Sequence, residues 1–94
     1  GMAEKALKGQ PGNPQLMDTY GWVLLQTGQT AKAVQQLEAA AKASPIPAVR
    51  AHYIQALVRT GDKTKARTEL DALLKAYPKF SQTPEAKELR GQLP

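Results

Sequence analysis

Few side chains in this sequence can do covalent chemistry. The chain holds one histidine, His52, two serines, Ser44 and Ser81, and no cysteine. Nucleophilic catalysis needs a base within hydrogen-bond reach of the nucleophile and a third group to orient it. Neither serine stands at helical spacing from His52, and no carboxylate shares its predicted helix. One histidine among scattered acids gives no metal-ligand spacing. Gly9-Gln10-Pro11-Gly12 lacks the Lys-Ser/Thr that completes a phosphate loop. The residue types point away from an enzyme, and neither metal, cofactor nor small-molecule substrate is expected. His52 reads as a polar residue at the edge of a surface.

The charge balance offers a second chemistry. Thirteen basic against eight acidic residues give a formal charge of +5, concentrated locally at Arg59, Lys63, Lys65 and Arg67. Such a patch can meet nucleic acid or another anionic surface. No aromatic is interleaved for base stacking, so a solvated helix face is expected and nucleic acid is not. The lack of cysteine removes a disulfide framework and a thiolate metal site and leaves the compartment open. No apolar run approaches the roughly 18–20 residues of a membrane span, and no signal peptide is read. Aromatics are only 5% of a chain that is 41% hydrophobic. The core is therefore expected to be alanine and leucine, which suits closely packed helices.

The elements that would position these residues come from an internal repeat. Tyr20 and Tyr53, Leu24 and Leu57, Gly28 and Gly61, Ala33 and Ala66, Leu37 and Leu70, and Pro45 and Pro78 are identical pairs, each 33 positions apart. A unit of this length is one helix-turn-helix, stable only when stacked on neighbours. Asn13-Pro14 opens a helix with Leu16, Met17, Tyr20, Val23, Leu24 and Thr27 at helical spacing, and Gly28 ends it. Thr30 is expected to cap the next helix, whose apolar face is Ala33, Val34, Leu37, Ala40 and Ala41, and Ser44-Pro45-Ile46-Pro47 stops it. The pattern then predicts helices over Pro47–Thr60 and Lys63–Ala76, closed by Tyr77-Pro78. Thr83-Pro84-Glu85 starts a last helix to about Gln92, with Ala86 and Leu89 inward. A short helix over residues 2–9 precedes them all, and no stretch argues for a strand. Gly1-Met2 reads as an expression remnant on a fragment of a longer protein.

These residues resemble the tetratricopeptide repeat. Small, turn, small, apolar, small and proline positions fall on Gly21, Gly28, Ala33, Leu37, Ala40 and Pro45, then on Ile54, Gly61, Ala66, Leu70, Leu73 and Pro78. Ile54 and Leu73 depart from the small-residue preference and predict a wider helix spacing in the second unit. Ala6 and Pro11 fit the end of a preceding unit. The resemblance implies an all-α fold, a right-handed superhelix of antiparallel helix pairs. It divides the chain into half a repeat (1–12), two repeats (13–46 and 47–79) and a capping helix (80–94). A narrower similarity runs through Asn13-Pro14, Asp18-Thr19-Tyr20-Gly21-Trp22 and Gln29-Thr30-Ala31, and again from Gly61-Asp62-Lys63 to Pro84-Glu85-Ala86. It is to the carboxy-terminal repeats of large bacterial lipoproteins that accompany exosortase and PEP-CTERM sorting linked to exopolysaccharide export. That similarity implies a parent in the periplasm or anchored to the outer membrane.

In this family the first helix of each unit lines a concave face that binds peptides or partner subunits. The resemblance therefore implies a groove of Gln15, Asp18, Thr19, Trp22, Leu25 and Gln26 on one helix and Ala48, Ala51, His52, Gln55, Val58 and Arg59 on the next. Trp22 is either an anchor for a ligand or a packing residue against a neighbouring helix. Asp18 either pairs with a basic ligand or answers the helix dipole. Gln55 and Arg59, one turn apart, suit a carboxylate or backbone amides. The family's carboxylate clamp is absent, since its positions hold Asp18, Trp22, His52 and Ala48. The expected function is a non-catalytic scaffold binding a protein or peptide. The alternatives are a structural end cap without a ligand and weak anionic contact through the basic patch. Self-association through the truncated first repeat is a further expectation.

Overall fold

Two glycines turn the chain back on itself. Gly28 and Gly61 have φ of +85° and +86°, the left-handed conformation that a side chain resists. Each closes its helix with the same pair of bonds. Gly28 N–H donates to Leu25 O (3.3 Å) and Gln29 N–H to Leu24 O (2.9 Å); Gly61 N–H donates to Val58 O (3.1 Å) and Asp62 N–H to Leu57 O (3.0 Å). This double bond satisfies carbonyls that a helix end otherwise leaves open.

The computed structural model describes residues 14–44 and 46–93. Among them α1 (Pro14–Gln26), α2 (Thr30–Ala43), α3 (Pro47–Arg59) and α4 (Lys63–Ala76) form two antiparallel pairs. A 3-10 turn over Pro78–Gln82 leads into α5 (Pro84–Gln92), and no strand is present among the described residues. The fold is all-α. The expected helix over residues 2–9, the half repeat of residues 1–12, and the roles of Asn13 and Pro45 lie outside the described residues.

The helices stack in chain order, α1 on α2, α2 on α3 and α3 on α4, while α5 packs beside α3. Each supplies one large, fully buried side chain: Leu25, Leu37, Ile54, Leu73 and Leu89. Removing each from water stabilises the stack by about 1.5–3 kcal/mol, before the entropy of ordering is subtracted. Alanines fill the narrow places, with Ala33, Ala40, Ala51, Ala56, Ala66 and Ala86 at 0% exposure.

Gly21 shows why the first pair wants a small residue. A Cβ there would lie 2.6 Å from Leu37 Cγ and 2.8 Å from Leu37 Cδ2. In the second pair Ile54 stands at the equivalent position, 1% exposed.

Two local expectations are corrected. Thr30 is the first residue of α2, not its cap; Gln29 holds the cap position without a side-chain bond, and Thr30 Oγ1 donates to Gly28 O at 3.4 Å. Val23, expected on the apolar face, is 45% exposed because it lies on the side of α1 turned away from Leu24 and Leu25. Tyr77-Pro78 closes α4 as expected, and the 3-10 turn beyond it carries Phe80 back against the core, with Leu93 buried beyond α5. The start of α5 follows expectation: Thr83 Oγ1 accepts from Ala86 N–H at 3.3 Å, with Pro84 and Glu85 in the first turn.

Candidate docking surface

The predicted groove residues sort into three groups by depth. On α1, Gln15, Thr19 and Gln26 are exposed; on α3, Ala48 and Arg59 are exposed and Gln55 and Val58 half-buried. Asp18, Trp22 and His52 form a half-buried group between the two helices. Leu25 and Ala51 do not belong to a groove. They are 2% and 0% exposed and sit in the core, one step further around their helices toward the neighbours.

The middle group is bound together. His52 Nδ1 lies 2.8 Å from Asp18 Oδ1, with the side chains 27% and 18% exposed. An ionised carboxylate only accepts, so the shared proton sits on Nδ1 of the ring. The Trp22 ring lies against the same imidazole, centroids 4.7 Å apart and planes tilted by 34°. Trp22 also packs on the apolar core. Asp18 is therefore engaged with His52, and Trp22 is a packed aromatic with one face of its surroundings polar.

Further along, Arg59 Nη1 donates to Leu25 O at 3.4 Å, closing the end of α1. Thr19 Oγ1 donates to Gln15 O at 2.9 Å, one turn back on its own helix. His52 meets its carboxylate across helices, which a search within one helix misses. Both serines are engaged locally: Ser44 Oγ accepts from Ile46 N–H at 3.3 Å, and Ser81 Oγ donates to Pro78 O at 2.7 Å. Among the described residues no three His, Asp or Glu come together as metal ligands. No described helix is long and apolar enough to cross a membrane.

The four basic residues do not converge. Arg59 faces α1, and Lys65 Nζ lies 3.6 Å from Glu38 Oε2. Lys63 and Arg67 line a separate hollow of about 420 Å³ with Thr64, Thr68, Asp71 and the end of α5.

Glu38 instead centres a polar tie that sequence reading overlooks. Tyr53 Oη donates to Glu38 Oε2 at 2.9 Å, and Lys42 Nζ lies 3.4 Å from Oε1. The Tyr53 bond first, then Lys42 and Lys65, hold the Glu38 carboxyl below its ordinary range, against the opposing effect of burial. Burial, then Glu38, pushes the Tyr53 hydroxyl up. This tie joins α2, α3 and α4 beside a hollow of about 330 Å³.

A family model described as tetratricopeptide repeat matches residues 19–79. No match was found among curated proteins or among solved structures. Repeats of this kind mediate protein–protein interaction and are typically non-catalytic. With most of α1 and all of α2, α3 and α4 inside the match, the chain belongs to the tetratricopeptide-repeat family.

Proposed function

We propose that the strip shared by α1 and α3 binds an extended segment of a partner protein. The carrying observation is the arrangement of its side chains. Gln15, Thr19 and Gln26 on α1 and Gln55 and Arg59 on α3 flank the bound group of Asp18, His52 and Trp22. A rigid aromatic centre ringed by amides, a hydroxyl and a guanidinium suits a peptide, whose backbone both donates and accepts. The similarity around Asp18-Thr19-Tyr20-Gly21-Trp22 supports placing the parent protein in a bacterial envelope sorting or exopolysaccharide-export system.

Selection of peptides displayed on phage, against the folded chain, tests the strip. Bound peptides should shift the backbone amides of Gln15, Thr19, Gln26, Gln55 and Arg59. Gln26→Ala with Gln55→Ala, both away from the core, should weaken them roughly tenfold, as loss of two anchoring groups does. Peptides that map to α2 and α4, or a selection that enriches nothing, would refute the docking strip.

A second reading has its own support. α5 surrounds buried Ala86 and Leu89 with exposed Glu85, Lys87, Glu88 and Arg90, the polar outside that a stack's last helix needs. In that reading α5 seals the scaffold and has no ligand. Charge reversals on α5 that leave both stability and partner binding unchanged would favour it.

A further inference from the structure

The Glu38 tie has a counterpart in the sequence, one unit earlier. Glu4, Lys8, Tyr20 and Lys32 stand 34, 34, 33 and 33 positions before Glu38, Lys42, Tyr53 and Lys65. The extra position follows from the links. Pro45 and Pro47 bracket one residue at the start of α3, while Pro11 and Pro14 bracket two at the start of α1. Tyr20 and Lys32 are described residues, and neither the hydroxyl nor the ammonium bonds to another described residue. Glu4 and Lys8 lie outside the described residues.

The face of α1 around Tyr20 also has a template. At the repeat offset Leu16, Tyr20 and Val23 correspond to Val49, Tyr53 and Ala56, which share one face of α3. Those three are 5%, 5% and 0% exposed, on the face from which Tyr53 reaches Glu38 of α2. On α1, Leu16 and Tyr20 are only half-buried and Val23 is 45% exposed. No described element precedes α1 to cover them as α2 covers α3.

We infer that residues 3–8 of this chain cover that face as residues 37–42 cover α3, with the Glu4 carboxylate taken by Tyr20, Lys8 and Lys32. An ionised carboxylate only accepts, so it satisfies a phenol and two ammonium groups at once. Glu38 does so with partners at 2.9, 3.4 and 3.6 Å. Leu7 stands where the second unit has Ala41, which lines a hollow with Tyr53. Its larger side chain supplies apolar cover for the Tyr20 ring. The tie is thus a device used twice, once for each face that receives a preceding segment.

A double-mutant cycle on the full chain tests it, with urea unfolding followed by circular dichroism. Tyr20→Phe and Glu4→Gln should each raise the unfolding constant roughly threefold to tenfold, as loss of one partly open, charge-assisted bond does. Together they should raise it no more than either alone. Glu4→Gln with Tyr53→Phe is the control, and its effects should multiply because the two sites share no partner. Lys32→Gln should lose a smaller factor that fades in salt. By NMR the Leu7 methyls should show nuclear Overhauser contacts to the Tyr20 ring. That contact is read on the unaltered chain, so it decides even where a variant fails to fold.

Independent, multiplying effects of Tyr20→Phe and Glu4→Gln would overturn the inference, as would absence of the Leu7–Tyr20 contact. So would a coupling found only in a dimer, identified by light scattering and lost on dilution. The face would then hold a second copy of the chain rather than its own first residues.

Discussion

The two helix pairs share a repeat offset and a turn, yet they fit their helices together by opposite means. In α1–α2 a missing side chain at Gly21 makes room for Leu37, which is fully buried. In α3–α4 the equivalent positions hold Ile54 and Leu70, 1% and 4% exposed. The family pattern fixes where two helices meet. How volume is divided at the contact is settled locally, because interiors are packed too densely to accept a residue the partner surface was not shaped for.

Making each pair more like the other should therefore damage both. The larger effect is expected for Ile54→Ala, which gives the second pair the small residue its family prefers. It empties a fully buried site and should cost about 2–5 kcal/mol, read as a lower urea midpoint at unchanged slope. A loss below about 1 kcal/mol would mean that α3 closes freely onto α4 and that Ile54 does not set the spacing.

Gly21→Ala tests the first pair from the other side. Overpacking against Leu37 costs about 1–3 kcal/mol, offset by about 0.5–1 kcal/mol from alanine's better helix propensity. A net loss of about 1–2 kcal/mol is expected from those two figures. Adding Leu37→Val should recover part of it, so that the two changes together cost less than their sum. A neutral or stabilising Gly21→Ala would show that Leu37 moves aside without penalty.

The same contrast explains what the sequence could and could not reveal. Gly28, Gly61 and Pro84 act through their own backbone and Thr83 through a hydroxyl that caps its own helix, so residue type alone placed the helix ends. Gly21 and Ile54 were legible because a position 33 residues away gave each a counterpart to be compared with. Thr30 was misplaced by one residue because Gln29 serves both the end of one helix and the start of the next. The candidate site was half legible. Surface positions such as Gln26 and Gln55 followed from the family architecture, while Leu25 and Ala51 were lost to the core. Asp18 and His52 are 34 positions apart, one more than the repeat, so a search at the repeat offset pairs Asp18 with Ala51 and misses the contact. Glu38 and Tyr53, 15 apart on different helices, follow no such period.

That last pair gives the next prediction. Tyr53→Phe should cost about 1 kcal/mol near neutral pH, a charge-assisted bond discounted for its partly open carboxylate. The Glu38 carboxyl is lowered in the folded state, so its contribution is present above the unfolded value of roughly 4.3 and is lost as pH falls through the folded one. The Tyr53 hydroxyl is raised, so its contribution is present below roughly pH 10 and is lost as pH rises through the folded value. The gap between wild type and Tyr53→Phe should thus be widest between about pH 5 and pH 9. Urea unfolding at about pH 3, 7 and 10.5 measures it. An equal gap at all three would show that the phenol contributes packing alone.

The smallest effect offers the sharpest comparison, because here the two pairs differ in one side chain on the same backbone. Gln29 has φ and ψ of −86° and 62°, and Asp62 has −86° and 66°. Asp62 Oδ1 accepts from Lys65 N–H at 3.2 Å, while Gln29, one carbon longer, makes no such cap. Asp62→Ala should cost the second pair about 1 kcal/mol. Gln29→Asp should then stabilise the first pair by about 0.5–1 kcal/mol, with a further electrostatic share from the helix dipole that weakens in salt. A thermal melt at low and high salt separates the two contributions. If Gln29→Asp gains nothing while Asp62→Ala loses its full share, matched dihedral angles do not suffice for a cap. The first turn would then be limited by what Gln29 already provides, an amide that reaches Thr27 Oγ1 at 3.4 Å.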